Sequence, residues 1–172
     1  NPPDVMHIDL NSCFATVAQQ AHPCLRGKPV AIAAYNSPRG CIVAPSIEAK
    51  RYGVKTGMRV MEGKLLCKDL IVRTPDPILV RDVHIKLKKI FFNYSSDVVP
   101  KSIDEAVIKF GLGHMKRELT DIAMEIKSRI RREIGEWISC SIGISTNRFL
   151  AKMAASLKKP DGLEIITHKN LR

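Results

Sequence analysis

HIDLNSCF, from His7 to Phe14, sets an acid at the end of an apolar stretch and a small-polar step directly after it. The longer run VMHIDL (5–10) is short and mostly apolar, which predicts a strand in the middle of a sheet. Asn11 or Ser12 can cap a helix that starts there and continues to about Gln20. Asp9 therefore falls where a central strand hands over to a helix, and in α/β architectures that crevice is a common ligand site. Backbone N–H groups from Asn11 to Phe14 would have no helical partner and would form a nest for phosphate. A free charge at Asp9 is costly unless something pairs with it. The plainer alternative is that Asp9 only caps a helix or shapes a turn.

SIDEA, from Ser102 to Ala106, is the second acidic place. Consecutive strand residues point to opposite faces, so Asp104 and Glu105 reach one site only if the backbone bends there. Pro100 and the Lys101–Ser102 pair supply grounds for such a bend. Otherwise the two acids are a solvent-facing pair. If the fold brings Asp9, Asp104 and Glu105 together, hard oxygen ligands in one cluster suit Mg²⁺ or Mn²⁺. Two metals roughly 4 Å apart would clamp the attacking and leaving oxygens of an in-line phosphoryl displacement. Cations lie near the C-terminal end: Arg148, Lys152 and Lys159 read as one helix face able to meet phosphates, with Lys159 also favoured by the helix dipole. As easily, they are ordinary surface.

Outward from these places the chain alternates strand and helix. Strands are expected at 29–35 and 41–44 around the turn NSPRG (36–40), at 69–73, on both sides of Pro100–Ser102, at 137–145 and at 163–167. Short helices are expected at 45–52 and 60–67. A longer one runs from about Pro77 to Tyr94, with Leu79, Val83, Leu87, Ile90 and Tyr94 on one face. The cleanest amphipathic pattern spans about 116–134: Leu119, Ile122, Ala123, Ile126, Ile130 and Ile134 form the stripe, and Lys127, Arg129, Arg131 and Arg132 read as its solvated side. Asn147 caps a last helix that runs to about Lys159, where Pro160 and a DG turn end it.

Composition bounds the class. The chain has 172 residues, enough for one compact domain or one and a half. Its formal net charge of +11 implies a polyanionic partner. No apolar run is long enough to span a membrane, and NPPD lacks the layout of a signal peptide. The 5 cysteines show no CxxC spacing, which argues against zinc and fits a reducing cytosol. A basic chain around an acidic metal site suggests an enzyme acting on nucleic acid and phosphates.

HIDLNSCFATV, GKPVAIAA, IEAKRYGVKTGM, SIDEA and SIGISTNRFLAKMAASLKKPDG together resemble, in order and spacing, the Y-family, DinB-like translesion DNA polymerases. The resemblance covers His7 to about Thr167. It implies an α+β fold: a ferredoxin-like polymerase palm (1–12 and 77–167), a small α/β fingers subdomain (13–76), and the start of a truncated thumb (168–172). It implies that Asp9, Asp104 and Glu105 are catalytic metal ligands, with the Leu10 carbonyl as a further one. Two Mg²⁺ ions are the implied cofactor, with Mn²⁺ as substitute. Asn11, Ser12, Cys13, Phe14, Lys50 and Lys159 are the implied nucleotide-binding residues, Phe14 being the steric gate against a 2′-hydroxyl. Ala44, Gly57 and Met58 match the lid over the nascent base pair, where small or flexible side chains fit a loose pocket. The implied partners are primer-template DNA and a dNTP, for a cytoplasmic monomer with no membrane contact. A longer native chain would add a sliding clamp.

Two departures from the family pattern matter. The family's Thr, Tyr and Arg that grip the triphosphate are matched here by Ala44, Ile47 and Lys50, so both hydroxyls are gone and a bidentate cation has become a point charge. Arg51 is adjacent but points about 100° away on a helix. The chain also stops near the thumb's first residues, as a catalytic core or a reduced polymerase. The leading expectation is two-metal transfer of a dNTP to a primer 3′-hydroxyl. A binding module with little or no turnover is the alternative. A palm-like nucleotide cyclase is the third, opposed by the fingers blocks and by KKPDG.

Overall fold

Alternating apolar residues build a sheet whose middle strand is the one that carries Asp9. The computed structural model describes residues 2–111 and 117–170. The chain divides into two compact units, Asn1–Asn11 with Val83–Arg172, and Ser12–Asp82.

In the first unit, β1 (Val5–Leu10) lies at the centre of a five-stranded sheet with β5 (Asp97–Pro100), β6 (Glu105–Lys109), β7 (Cys140–Ser145) and β8 (Leu163–Ile165), in the order β5-β6-β1-β7-β8. β1 is antiparallel to β6 and to β7, and β8 joins parallel to β7. With α4 (Pro77–Phe92) and α5 (Leu119–Arg129), the succession β1-α4-β5-β6-α5-β7 is the split βαββαβ pattern of ferredoxin-like folds, which bears out the expected fold class. The period of two sorts the side chains. Ile8, Leu10 and Ala106 face Leu87 and Phe91 of α4, whereas Val5 and Val107 meet Ala151 of α6 (Arg148–Leu157). His7, Asp9 and Glu105 share the α6 side. α6 comes very close because Gly143 has no side chain: a Cβ there would lie 2.0 Å from the Ala151 carbonyl oxygen.

The second unit holds α1 (Cys13–Ala21), a 3₁₀ turn (Pro23–Leu25), β2 (Val30–Ala33), β3 (Ile42–Pro45), α2 (Ile47–Arg51), α3 (Val60–Leu66) and β4 (Ile71–Arg73). Its sheet has the order β3-β2-β4, with β3 antiparallel and β4 parallel to β2. Ala31, Ala33, Ile42, Val54, Val60, Leu70 and Val72 fill one face, and Ala15, Leu25, Val30, Ile32 and Ala44 the other. Ser46 is fully buried and caps α2, accepting from the N–H groups of Ala49 (3.1 Å) and Val30 (2.9 Å).

Several expectations need correction. α5 begins at Leu119 and closes through a π-helical turn at Ile130–Ile134; Lys116, the expected start, lies outside the described residues. Lys127 is not solvated. It is 8% exposed, donating to the Cys140 carbonyl and to Asp161, so an acid 34 positions on draws it into the interior. Arg131 pairs with the same acid. β7 starts at Cys140 and β8 stops at Ile165, each shorter than its apolar run. α6 is capped by the Asn147 side chain as expected, through the Leu150 N–H at 2.9 Å, but it ends at Leu157. Lys159 therefore lies beyond the helix, and neither the shared face with Lys152 nor the dipole applies to it.

Candidate catalytic site

The antiparallel register of β1 and β6 sets Asp9 directly opposite Glu105. One step further, the Leu10 N–H donates to the Asp104 carbonyl at 2.9 Å, so the bend before β6 is tied to the end of β1. Asp104 stands in that bend rather than in the strand. Ser102 shapes it: its hydroxyl donates to the Asp104 carboxylate at 2.6 Å and accepts from the Glu105 N–H at 3.1 Å, while the Lys101 N–H donates to the Glu105 carbonyl at 2.8 Å. The irregularity expected at Pro100–Ser102 is present.

Cations already meet two of the acids. Lys159 donates to the Asp9 carboxylate, and Lys152 donates to Glu105 at 3.1 Å. Burial pushes the Asp9 carboxyl above the usual range, against the opposing pull of Lys159. His7, two residues earlier on the same face, is 2% exposed with Nε2 3.7 Å from Glu105. Burial holds its imidazole below the ordinary value, against the pull of Glu105 and Asp9. Among the described residues no three His, Cys, Asp or Glu side chains are grouped so as to hold a metal as they stand. The donor chemistry nevertheless suits a hard cation: Asp9 and Glu105 are paired oxygens whose present counterions are lysines, while Asp104 is engaged by Ser102.

At the strand end, Asn11 is buried and fully occupied. Its N–H donates to the Ser139 carbonyl at 2.9 Å instead of waiting for a phosphate, and its side chain is bonded to Ser139, Ser141 and Asp161. It does not cap α1. Ser12 occupies that position in the left-handed region (φ 47) with no side-chain cap, and its hydroxyl is buried without a hydrogen-bond partner among the described residues.

The remaining candidates belong to the second unit. Cys13 is buried in the first turn of α1, and Phe14 is half-buried beside Ala18 and Ile32, lining a small cavity with Val17, Arg73 and Leu79. Lys50 and Arg51 are exposed in the last turn of α2, with Ile47 half-buried at its start. Ala44 is buried opposite Ile32 in the ladder of β2 and β3. Gly57 has φ +90, in the region that favours glycine, and its N–H donates to the Ile42 carbonyl at 2.8 Å; the Met58 carbonyl accepts from the Ile42 N–H at 2.7 Å. Sequence reasoning missed His7, the lysine–carboxylate pairs and the polar set around Asn11. Ser139 and Ser141, polar residues in a strand otherwise fit for the core, were the available sign of the last.

Residues 8–156 match the sequence profile of the impB/mucB/samB family. DNA polymerase IV of Clostridium perfringens (strain 13 / Type A) is 35% identical over 167 residues, covering 96% of this chain and 46% of that protein. DNA polymerase IV of Bacteroides fragilis (strain YCH46) is 39% identical over 164 residues, covering 95% and 44%. This chain thus spans about half the length of the curated relatives it matches. Among solved structures, DinB from Sulfolobus solfataricus superposes with a TM-score of 0.86 at 24% identity, covering 96% of this chain and 48% of that one. An insertion ternary complex of Dbh DNA polymerase gives 0.87 at 24%, covering 96% and 49%. These likenesses bear on the fold.

Proposed function

We infer the function from the premise that this chain belongs to the impB/mucB/samB family: it is the palm-and-fingers core of a template-directed DNA polymerase of the translesion type. The observation that carries the reading is the in-register pair of Asp9 and Glu105, each met by a lysine, near the C-terminal end of the central strand.

Residues 1–12 and 77–167 act as palm and 13–76 as fingers. Asp9 and Glu105, with Asp104 once it turns from Ser102, and the Leu10 carbonyl would hold two divalent ions, Mg²⁺ or Mn²⁺. Such ions supply charge neutralisation at the attacking and leaving oxygens of phosphoryl transfer. The chain's own residues do the rest. Lys159 and Lys50 meet the β and γ phosphates of the incoming dNTP, beside the backbone at Ser12 and Cys13, the Asn11 N–H being held by the Ser139 carbonyl. Phe14 closes the place of a 2′-hydroxyl, and Ala44, Gly57 and Met58 lie over the nascent pair. The substrate hydroxyl is the primer 3′ end and pyrophosphate leaves. All 5 cysteines are free, which supports a reducing, cytoplasmic setting. The proposed working state is a monomer on primer-template DNA. Among the described residues no helix is long and apolar enough to cross a membrane.

A second reading, a nucleotide- and DNA-binding module with little turnover, is favoured by the engagement of Asp104 with Ser102 and by Ala44, Ile47 and Lys50 in the fingers. Primer extension by this chain with Mg²⁺ and with Mn²⁺ separates the two. Template-dependent addition that Asp9→Ala abolishes is the expected result. Nucleotide binding without addition, in either metal, would favour the binding module.

A further inference from the structure

Lys159 has no helix to hold it, yet it reaches Asp9, and the polar groups behind it account for its aim. We propose that Asn11 and Asp161 are positioning residues for Lys159, tying its loop to the strand that carries Asp9 and so setting the grip on the dNTP triphosphate; this rests on the polymerase reading above.

The loop between α6 and β8 is fastened on both sides of Lys159. Before it, the Lys158 carbonyl accepts from the Ser141 hydroxyl at 3.4 Å. After it, the Asp161 N–H donates to the Asn11 side-chain oxygen at 2.8 Å, and the Gly162 carbonyl accepts from the Ile142 N–H at 3.0 Å. Asp161 sits at φ 59, a conformation that Asp tolerates better than most residues. Its carboxylate takes Lys127 at 2.9 Å and also Arg131. Lys127 is the buried basic group that the proposed chemistry leaves unused. A buried ammonium is costly without a partner, and here its partners are Asp161 and the Cys140 carbonyl.

Asn11 is 5% exposed, and its amide is oriented by what surrounds it. The Asp161 N–H can only donate, so the atom facing it must be the oxygen; that oxygen also accepts from the Ser139 hydroxyl at 3.1 Å. The amide nitrogen donates to the Ser141 hydroxyl at 2.9 Å. Asn11 thus joins β1, β7 and the Lys159 loop two residues from Asp9, so cation and acid are referred to one strand. A side chain serving only the sheet would need no bond to Asp161.

The test uses the full chain. Asn11→Ala removes the tether; Asn11→Asp keeps an oxygen for the Asp161 N–H. Asn11→Ala is expected to raise KM for dNTP about tenfold, with kcat and primer-template affinity within about twofold, and Asn11→Asp to restore most of the loss. Combined with Lys159→Ala, Asn11→Ala is expected to add nothing further, as for two changes acting through one group. A second readout needs no turnover: acylation of Lys159, followed by mass spectrometry and normalised to Lys158, is expected to speed up several-fold in Asn11→Ala. An unmoved KM, full additivity with Lys159→Ala, or equal loss of kcat in Asn11→Ala and Asn11→Asp would each overturn the proposal. If the wild-type chain adds no nucleotide, the polymerase reading fails and acylation alone decides the positioning: unchanged Lys159 reactivity sinks it. If Asn11→Ala does not fold, Asp161→Asn carries the test. It keeps the turn and the N–H while weakening the hold of Lys127, so a faster-reacting Lys159 supports the proposal and an unchanged one overturns it.

Discussion

Asp9 stands opposite Glu105 in the β1–β6 ladder, and each acid carries a lysine, Lys159 on the first and Lys152 on the second. Asp9→Asn and Glu105→Gln keep shape and remove charge. Each is expected to lower single-turnover incorporation by roughly a thousandfold, about 4 kcal/mol, with circular dichroism unchanged. Asp104→Ala is expected to do the same. A wild-type rate in that variant would leave the bond to Ser102 as the whole role of Asp104.

Phe14→Ala should admit ribonucleotides. The ring lies half-buried in the first turn of α1, packed against the second unit's core. A tenfold loss of discrimination corresponds to about 1.4 kcal/mol. Competition between ribo- and deoxyribonucleotides measures it, and unchanged discrimination removes Phe14 from this role.

Lys50→Ala is expected to raise KM for the nucleotide about tenfold while leaving duplex affinity in place, since the neighbouring Ala44 and Ile47 offer no hydroxyl to share the work. Steady-state incorporation at saturating DNA tests this. Normal nucleotide dependence with weaker duplex binding would assign Lys50 to the DNA surface instead.

Gly143→Ala should cost roughly 3 kcal/mol or more, because the added Cβ would meet the backbone of α6 at Ala151 and Ala155 rather than a movable side chain. Denaturant unfolding gives the value. A near-neutral result would mean that α6 can lift from β7.

Cys140 supplies a pH signature. Burial pushes its thiol up to about 12 from 9.0, so between these values the unfolded chain gives up a proton that the folded chain keeps. Stability is then unaffected below about pH 9 and falls as pH rises, by up to about 1.4 kcal/mol per unit from this group. The slope difference between wild type and Cys140→Ala isolates it. At pH 8, alkylation should label exposed Cys24 and Cys41 and spare Cys140 until the chain unfolds.

Local pattern made much of this legible. VMHIDL ended as the strand it promised, NSPRG turned between β2 and β3, and Asn147 capped α6. What escaped depended on partners far along the chain. Lys127 reads as surface until Asp161 is known to be beside it, and Lys159 reads as helical until α6 is seen to stop at Leu157. Ser12 looks like a cap, but its backbone is left-handed and its side chain makes no cap hydrogen bond. The opposition of Asp9 and Glu105 is a matter of strand register, which neither motif states alone; the residues raise a common site only as a condition on the fold, and their joint resemblance to a family turns that condition into an expectation.

The central place of β1 divides the site into fixed and exchangeable parts. Both edges of that strand are laddered, so its amide hydrogens belong with the slowest to exchange, and Asp9 can shift only by breaking a sheet. Lys152 and Lys159, by contrast, approach as long, partly exposed side chains, 64% and 42% open. Rotation about their own bonds releases them. Trading one counterion for another at this strand end is therefore a rotamer event, fast and local, with the acids as the stationary template on which cations take turns.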